Sequence, residues 1–138
     1  MSMWHESSWA YVNTNMDVGK GHRADSHTDN TIWGTHMNDL MAKVIQLTRA
    51  DKNALPLVGK TTKLGEEFGE LCEAVLLMEG LIRYKETIGT PLEEGADIML
   101  VVLDILSSCY PNHSPERLVA DLGDMVATKT KKWQTYMG

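Results

Sequence analysis

The chain has 138 residues, of which 43% are hydrophobic, and a formal net charge of −6 at pH 7. This length predicts a single globular domain, and the acidic balance argues against binding to nucleic-acid polymers. No run of about 18 or more uncharged apolar residues is present, so no membrane partner is expected. The N-terminal residues lack the pattern of a signal peptide, and Cys72 and Cys109 are expected to be unpaired and buried, which together favour a cytoplasmic location.

Residues 1–36 differ in composition from the rest of the chain. They carry few aliphatic side chains and four of the five histidines, and they show no sustained hydrophobic period. Such a segment cannot bury a core of its own. We therefore predict an irregular N-terminal tail or leader over 1–36 and one domain over 37–138.

The first predicted helix begins where the helical period starts. Apolar residues recur on one face at Met37, Leu40, Met41, Val44 and Leu47. The polar residues 51–53 and Pro56 end this helix.

The second predicted helix carries an apolar stripe with an acidic row beside it. The stripe advances in steps of four and three through Leu64, Phe68, Leu71, Val75, Met78 and Ile82. The neighbouring row begins with Glu67 and Glu70 and becomes apolar from Ala74 onward. The pattern therefore places two carboxylates at partly buried positions, where an unpaired charge is costly.

The third predicted helix begins at Pro91, with Thr90 and Glu93 in the pattern of a capping box. It is apolar nearly all round from Leu92 to Leu106, which is typical of a helix that is buried on several sides. One subunit with four short helices cannot surround it, so we predict a homodimer or a homotetramer.

The fourth predicted helix follows a turn in which Ser114 is the expected cap and Pro115 the first helical residue. It ends in a basic run that includes Lys129 and Lys132. No segment has a convincing strand pattern, so the predicted fold class is all-α.

Four carboxylates in two helical pairs carry the functional prediction. Glu67 and Glu70 are three residues apart, as are Glu94 and Asp97, and residues at this spacing share a helix face about 5–6 Å apart. Like charges held so close repel each other, so a cation between them is expected. Several hard oxygen ligands suit Mg²⁺, or alternatively Mn²⁺, better than zinc.

The motif EExxE at 66–70 followed by ExxD at 94–97 resembles that of the MazG-like, all-α nucleoside triphosphate pyrophosphohydrolases. The resemblance covers roughly residues 37–133. It implies a four-helix bundle completed by oligomerisation, and hydrolysis of a (deoxy)nucleoside triphosphate to the monophosphate and pyrophosphate by water attack at the α-phosphate. Related enzymes often have an asparagine near the end of the last helix, which this chain lacks, and the base preference stays open.

Individual roles follow from this resemblance and from the residue spacing. The metal ligands would be Glu67, Glu70, Glu94 and Asp97, and Glu66 or Glu67 would be the catalytic base. Lys63, Lys129 and Lys132 are candidates for contacts with the phosphates. Asp104 shares a face with Asp97 inside an apolar run, so we expect it to contact either the substrate or a lysine.

Two other functions are compatible with parts of the sequence. Gly59-Lys60-Thr61 resembles the end of a phosphate-binding loop, which would make the chain a P-loop-type NTPase. That motif requires a preceding buried strand, and residues 47–53 are too polar for one. The other alternative is a non-catalytic helical interaction module. A di-iron carboxylate bundle is disfavoured because it requires paired Glu-x-x-His motifs.

Overall fold

The computed structural model describes the backbone of residues 29–138 and the side chains from residue 36 onward. It contains four α-helices: α1 (Asp29–Ala50), α2 (Leu57–Met78), α3 (Pro91–Cys109) and α4 (Pro115–Met137). The described residues contain no strand, which confirms the all-α fold class. Residues 1–28 of the predicted tail lie outside the described residues, but α1 begins at Asp29, so the expected helix start at Met37 is wrong.

Local sequence signals set the start of α3 and α4. The Thr90 hydroxyl accepts a hydrogen bond from the Glu93 N–H, and the Glu93 carboxylate accepts one from the Thr90 N–H, so the predicted capping box is confirmed. Ser114 caps α4 by accepting from the Arg117 N–H. Each cap satisfies a backbone donor that has no partner inside the helix.

Helix α2 ends earlier than its apolar stripe predicts. Its last residue is Met78 rather than Ile82, and Gly80 follows with a φ of 70°. The Leu81 N–H donates to the Leu76 carbonyl and the Gly80 N–H to the Leu77 carbonyl. This is the Schellman arrangement, which needs a left-handed residue that glycine adopts without strain.

The hydrophobic core lies on one side of α3, against α1 and α4. Its buried members are Ala42, Ile45, Leu103, Leu118 and Val119. At the end of α3 the Arg49 guanidinium donates to the Ser107 hydroxyl and to two carbonyl groups of the following turn. The end of α1 is thus joined to the α3–α4 turn.

Helix α2 contacts α3 but neither α1 nor α4. Its buried residues are Lys60, Glu67 and Ala74, which recur every seven positions and therefore share one face. The apolar stripe points elsewhere, because Phe68 is 61% exposed and Met78 66% exposed. Among the described residues no other helix covers these two side chains, so this part of the stripe does not join the core between α1, α3 and α4.

Both cysteines lie at the surface. Cys72 and Cys109 are unpaired as predicted, but both are exposed, so the expectation that they are buried is wrong. Among the described residues, no helix combines the length and apolar character required to cross a membrane.

Candidate metal centre

Three carboxylates converge between the middle of α2 and the first turn of α3. Glu67, Glu70 and Glu94 each offer one oxygen atom, and these atoms lie within 4.8 Å of one another. We call these three residues the acidic trio. Three of the four acids predicted as metal ligands therefore lie close together.

Burial distinguishes the members of the acidic trio. Glu67 is 5% exposed and Glu94 is 7% exposed, whereas Glu70 is exposed to solvent. Among the described residues, Glu94 makes no side-chain hydrogen bond or ion pair, although Glu67 is paired with a lysine. No described side-chain oxygen is both fully buried and without a partner, so the Glu94 carboxylate keeps some contact with solvent through the open cavity that it lines.

The pKa of Glu70 reflects this crowding. It is raised above its ordinary range, first because neighbouring atoms displace part of its hydration, and then because Glu67 and Glu94 repel its charge. The displaced hydration is only partial, since the side chain remains exposed. A divalent cation at the trio would reverse the electrostatic part of this shift.

Gly89 makes room for the buried carboxylate of Glu94. A β-carbon at position 89 would overlap Oε1 of Glu94. The neighbouring Glu93 is held away by the capping box, and the hydrogen bond from the Thr90 N–H lowers the pKa of the Glu93 carboxyl group. The turn before α3 thus positions one acid as a helix cap and the next as a member of the trio.

Gly89→Ala should disturb the acidic trio without removing any of its members. The new methyl group would displace the Glu94 carboxylate, so we expect Mn²⁺ affinity, measured by calorimetry, to fall by roughly tenfold. Gly95→Ala is the matched control, because a β-carbon there meets nothing within 4 Å. Unchanged Mn²⁺ affinity in Gly89→Ala would contradict the assigned position of Glu94.

A basic side chain, that of Lys63, contacts the trio. Its Nζ lies 2.6 Å from Oε1 of Glu67 and 3.3 Å from Oε2 of Glu66. The hydrogen bond to Glu67 is the main reason that the pKa of Lys63 is raised. Glu66, a predicted candidate for the catalytic base, is exposed at the edge of the cluster.

Asp97 is not part of the trio. Its side chain is exposed and lines an open cavity of about 600 Å³, together with Glu94, Ala96 and residues 86–89. Glu94 therefore belongs both to the trio and to the cavity wall. The structure brings Asp97 to the edge of the site, but it does not place its carboxylate beside those of Glu67 and Glu70.

Asp104 pairs with a lysine of its own chain. The Lys60 ammonium lies 2.6 Å from Oδ1 of Asp104 and 2.9 Å from the Ser108 hydroxyl, beside a cavity of about 300 Å³. The lysine contact is one of the two alternatives that the sequence left open. Lys60 also lies inside α2, and a helix, α1, precedes this segment where a phosphate-binding loop requires a strand.

The basic end of α4 is not brought to the acids within one chain. Lys129 and Lys132 are exposed, and α4 makes no contact with α2. Any contact of these lysines with phosphates held at the trio must therefore involve another copy of the chain or a different position of α4.

Two residues that shape the site are absent from the sequence-based site prediction. The sequence associates Lys60 only with a loop motif, although Lys60 stands seven residues before Glu67 and so shares its helix face. In the sequence, Gly89 is recognisable only as part of the connection before α3. A spacing signal could have identified Lys60, whereas the need for glycine at 89 depends on the position of the Glu94 side chain.

The oxygen donors of the trio fit a small, hard divalent cation. Oxygens bound to one Mg²⁺ lie about 2.1 Å from it and hence up to about 4.2 Å from one another. The trio lies within 4.8 Å without adjustment, so small side-chain rotations suffice. Neither histidine nor cysteine belongs to this cluster in the described part of the chain.

Comparisons with known proteins gave no match to a family model, to a curated protein or to a solved structure. The resemblance to the MazG-like enzymes therefore rests on the EExxE and ExxD motifs, and family membership stays a prediction.

Proposed function

We propose that the chain is a magnesium-dependent nucleoside triphosphate pyrophosphohydrolase of the MazG-like type. The observation that carries this proposal is the convergence of the Glu67, Glu70 and Glu94 carboxylates within 4.8 Å, with Glu67 and Glu94 less than a tenth exposed. A solvated acidic surface would not bury two of three converging carboxylates. The lack of a counter-ion at Glu94 among the described residues supports a bound cation in the working protein.

Different residues would bind the metal ion and activate the attacking water. Glu67, Glu70 and Glu94 would hold Mg²⁺, with Mn²⁺ as a substitute, and Asp97 would add a ligand on the cavity side. When bound, the ion supplies charge neutralisation for the phosphates and a more acidic water. Glu66, which lies outside the trio, would accept the proton of the attacking water. Glu67 would do so only if it were not engaged with the ion.

The open cavity beside Glu94 and Asp97 provides space for a substrate. Its volume of about 600 Å³ lies within the range of small-molecule sites. Because its wall carries several carboxylates and no lysine or arginine among the described residues, a triphosphate would enter only together with divalent cations. Phosphoryl transfer then depends mainly on positioning and electrostatics, not on a protein nucleophile.

A second copy of the chain would complete the domain as a homodimer or homotetramer. Phe68 and Met78 on α2 and Met99 on α3 are more than half exposed. Apolar side chains in this number on two adjacent helices mark an association surface. Lys129 or Lys132 of a second copy would then supply the phosphate contacts that α4 cannot make to α2 of its own chain.

The products of hydrolysis test the proposal directly. The full chain would be incubated with Mg²⁺ and individual (deoxy)nucleoside triphosphates in ¹⁸O-labelled water. We expect pyrophosphate and a monophosphate that carries the label, because attack falls at the α-phosphate. Diphosphate with orthophosphate would contradict the pyrophosphohydrolase and favour an NTPase, and no turnover of any nucleotide would contradict both.

A further inference from the structure

Lys63 contacts one member of the acidic trio. Its ammonium contacts both Glu67 and Glu66, while Glu67 is also one of the three converging ligands. The Glu67 carboxylate thus contacts the Lys63 ammonium and is also a candidate ligand of a divalent ion. A divalent ion at Glu67 would lie within a few ångströms of the ammonium, where like charges repel strongly.

The side chain of Lys63 is able to leave this position. It is 42% exposed, in contrast to the 6% exposure of the Glu67 side chain that it contacts. Its four-carbon stem is flexible, whereas Glu67 is nearly buried and would be costly to leave without a counter-ion. Departure from Glu67 therefore costs little once another cation replaces it.

We infer that Lys63 is an exchangeable counter-ion, which neutralises Glu67 in the metal-free protein and turns to a substrate phosphate when a divalent ion binds the trio. This inference rests on the proposed function. A released ammonium beside the acids would be repelled by the divalent ion and attracted by the polyphosphate that the ion binds. Lys63 would then stabilise the metal-free site. Once the divalent ion is bound, the same side chain would contribute to substrate binding.

Opposite effects of one substitution on two ligands test this role. Lys63→Met should bind Mn²⁺ roughly three- to tenfold more tightly in calorimetry without nucleotide, because a competing charge is removed. The same variant should bind inorganic pyrophosphate in the presence of Mg²⁺ more weakly by a similar factor. A lysine that only stabilises the helix would lower the melting temperature and change neither affinity.

Lys85→Met is the matched control, since Lys85 lies 4.0 Å from the exposed Glu73 and makes no contact with the trio. It should change neither affinity, and Lys63→Arg, which keeps the charge, should stay close to the wild type. Mn²⁺ affinity that is unchanged or lower in Lys63→Met overturns the exchange role alone. A wild-type chain that binds no Mn²⁺ at millimolar concentration overturns the proposed function as well.

Discussion

Glu94→Gln should abolish nucleotide turnover and at the same time stabilise the metal-free protein. Loss of one of three converging ligands is expected to lower kcat by roughly a hundredfold to a thousandfold. The stability change has the opposite direction, because a neutral amide in place of the buried, unpartnered carboxylate would end the repulsion with its neighbours. The measurements are the pyrophosphate release rate with Mg²⁺ and the melting temperature in excess chelator, which should rise by a few degrees.

Two further variants serve as comparisons for Glu94→Gln. Glu67→Gln should also abolish turnover but should not stabilise the protein, since Glu67 loses its ion pair with Lys63. Glu73→Gln changes an exposed acid outside the trio and should leave turnover unchanged. The charge of Glu94 also raises the pKa of Glu70, so that pKa should fall toward its ordinary value in Glu94→Gln. Full activity of this variant, or of the wild type in chelator, would reject the metal centre.

The assembly state should change completely when Phe68 is replaced by Asp. We expect the full wild-type chain to form a dimer or a larger oligomer in light scattering, because α2 exposes an apolar stripe that none of the described helices covers. Phe68 is the aromatic residue in that stripe and is 61% exposed, and aromatic residues at the centre of interfaces contribute most to binding. The variant should be a monomer of about 15.4 kDa.

Tyr84→Asp is the control for this experiment. Tyr84 is also an exposed aromatic residue, 73% exposed, but it lies in the connection between α2 and α3. The oligomer should survive this change. A monomeric wild-type chain at micromolar concentration would contradict the association surface, whereas monomers of both variants would show only a general effect of added charge.

The elements of the fold were predictable where local chemistry decides them. The capping box at Thr90 and the Ser114 cap are encoded within four residues, and the structure contains both. The convergence of Glu67 and Glu70 with Glu94 agrees with the paired spacing of these acids in otherwise apolar segments, whereas the shared cation expected from that spacing stays a prediction. The beginning of α1 at Asp29 was not, because residues 29–36 lack the hydrophobic period on which the prediction relied.

The face that α2 buries could not be read from its hydrophobic stripe. Periodicity identifies an apolar face but not the partner that covers it, and here the face that contains Lys60 and Glu67 contacts α3 instead. The place of Asp97 depends on the rotation of α3 relative to α2. A spacing of three residues fixes only that Glu94 and Asp97 are neighbours, so their separation into the trio and the cavity wall required the tertiary structure.

The ion pair between Lys60 and Asp104 has a mechanical consequence for the acids two to three helical turns away. Both partners lie between α2 and α3, and Lys60 is nearly inaccessible to solvent. Sliding one helix along the other by a single turn, about 5.4 Å, would separate the two charges and leave a buried ammonium alone, which is strongly unfavourable. The pair thus sets the longitudinal register of α2 against α3, and that register determines how far Glu94 lies from Glu67 and Glu70.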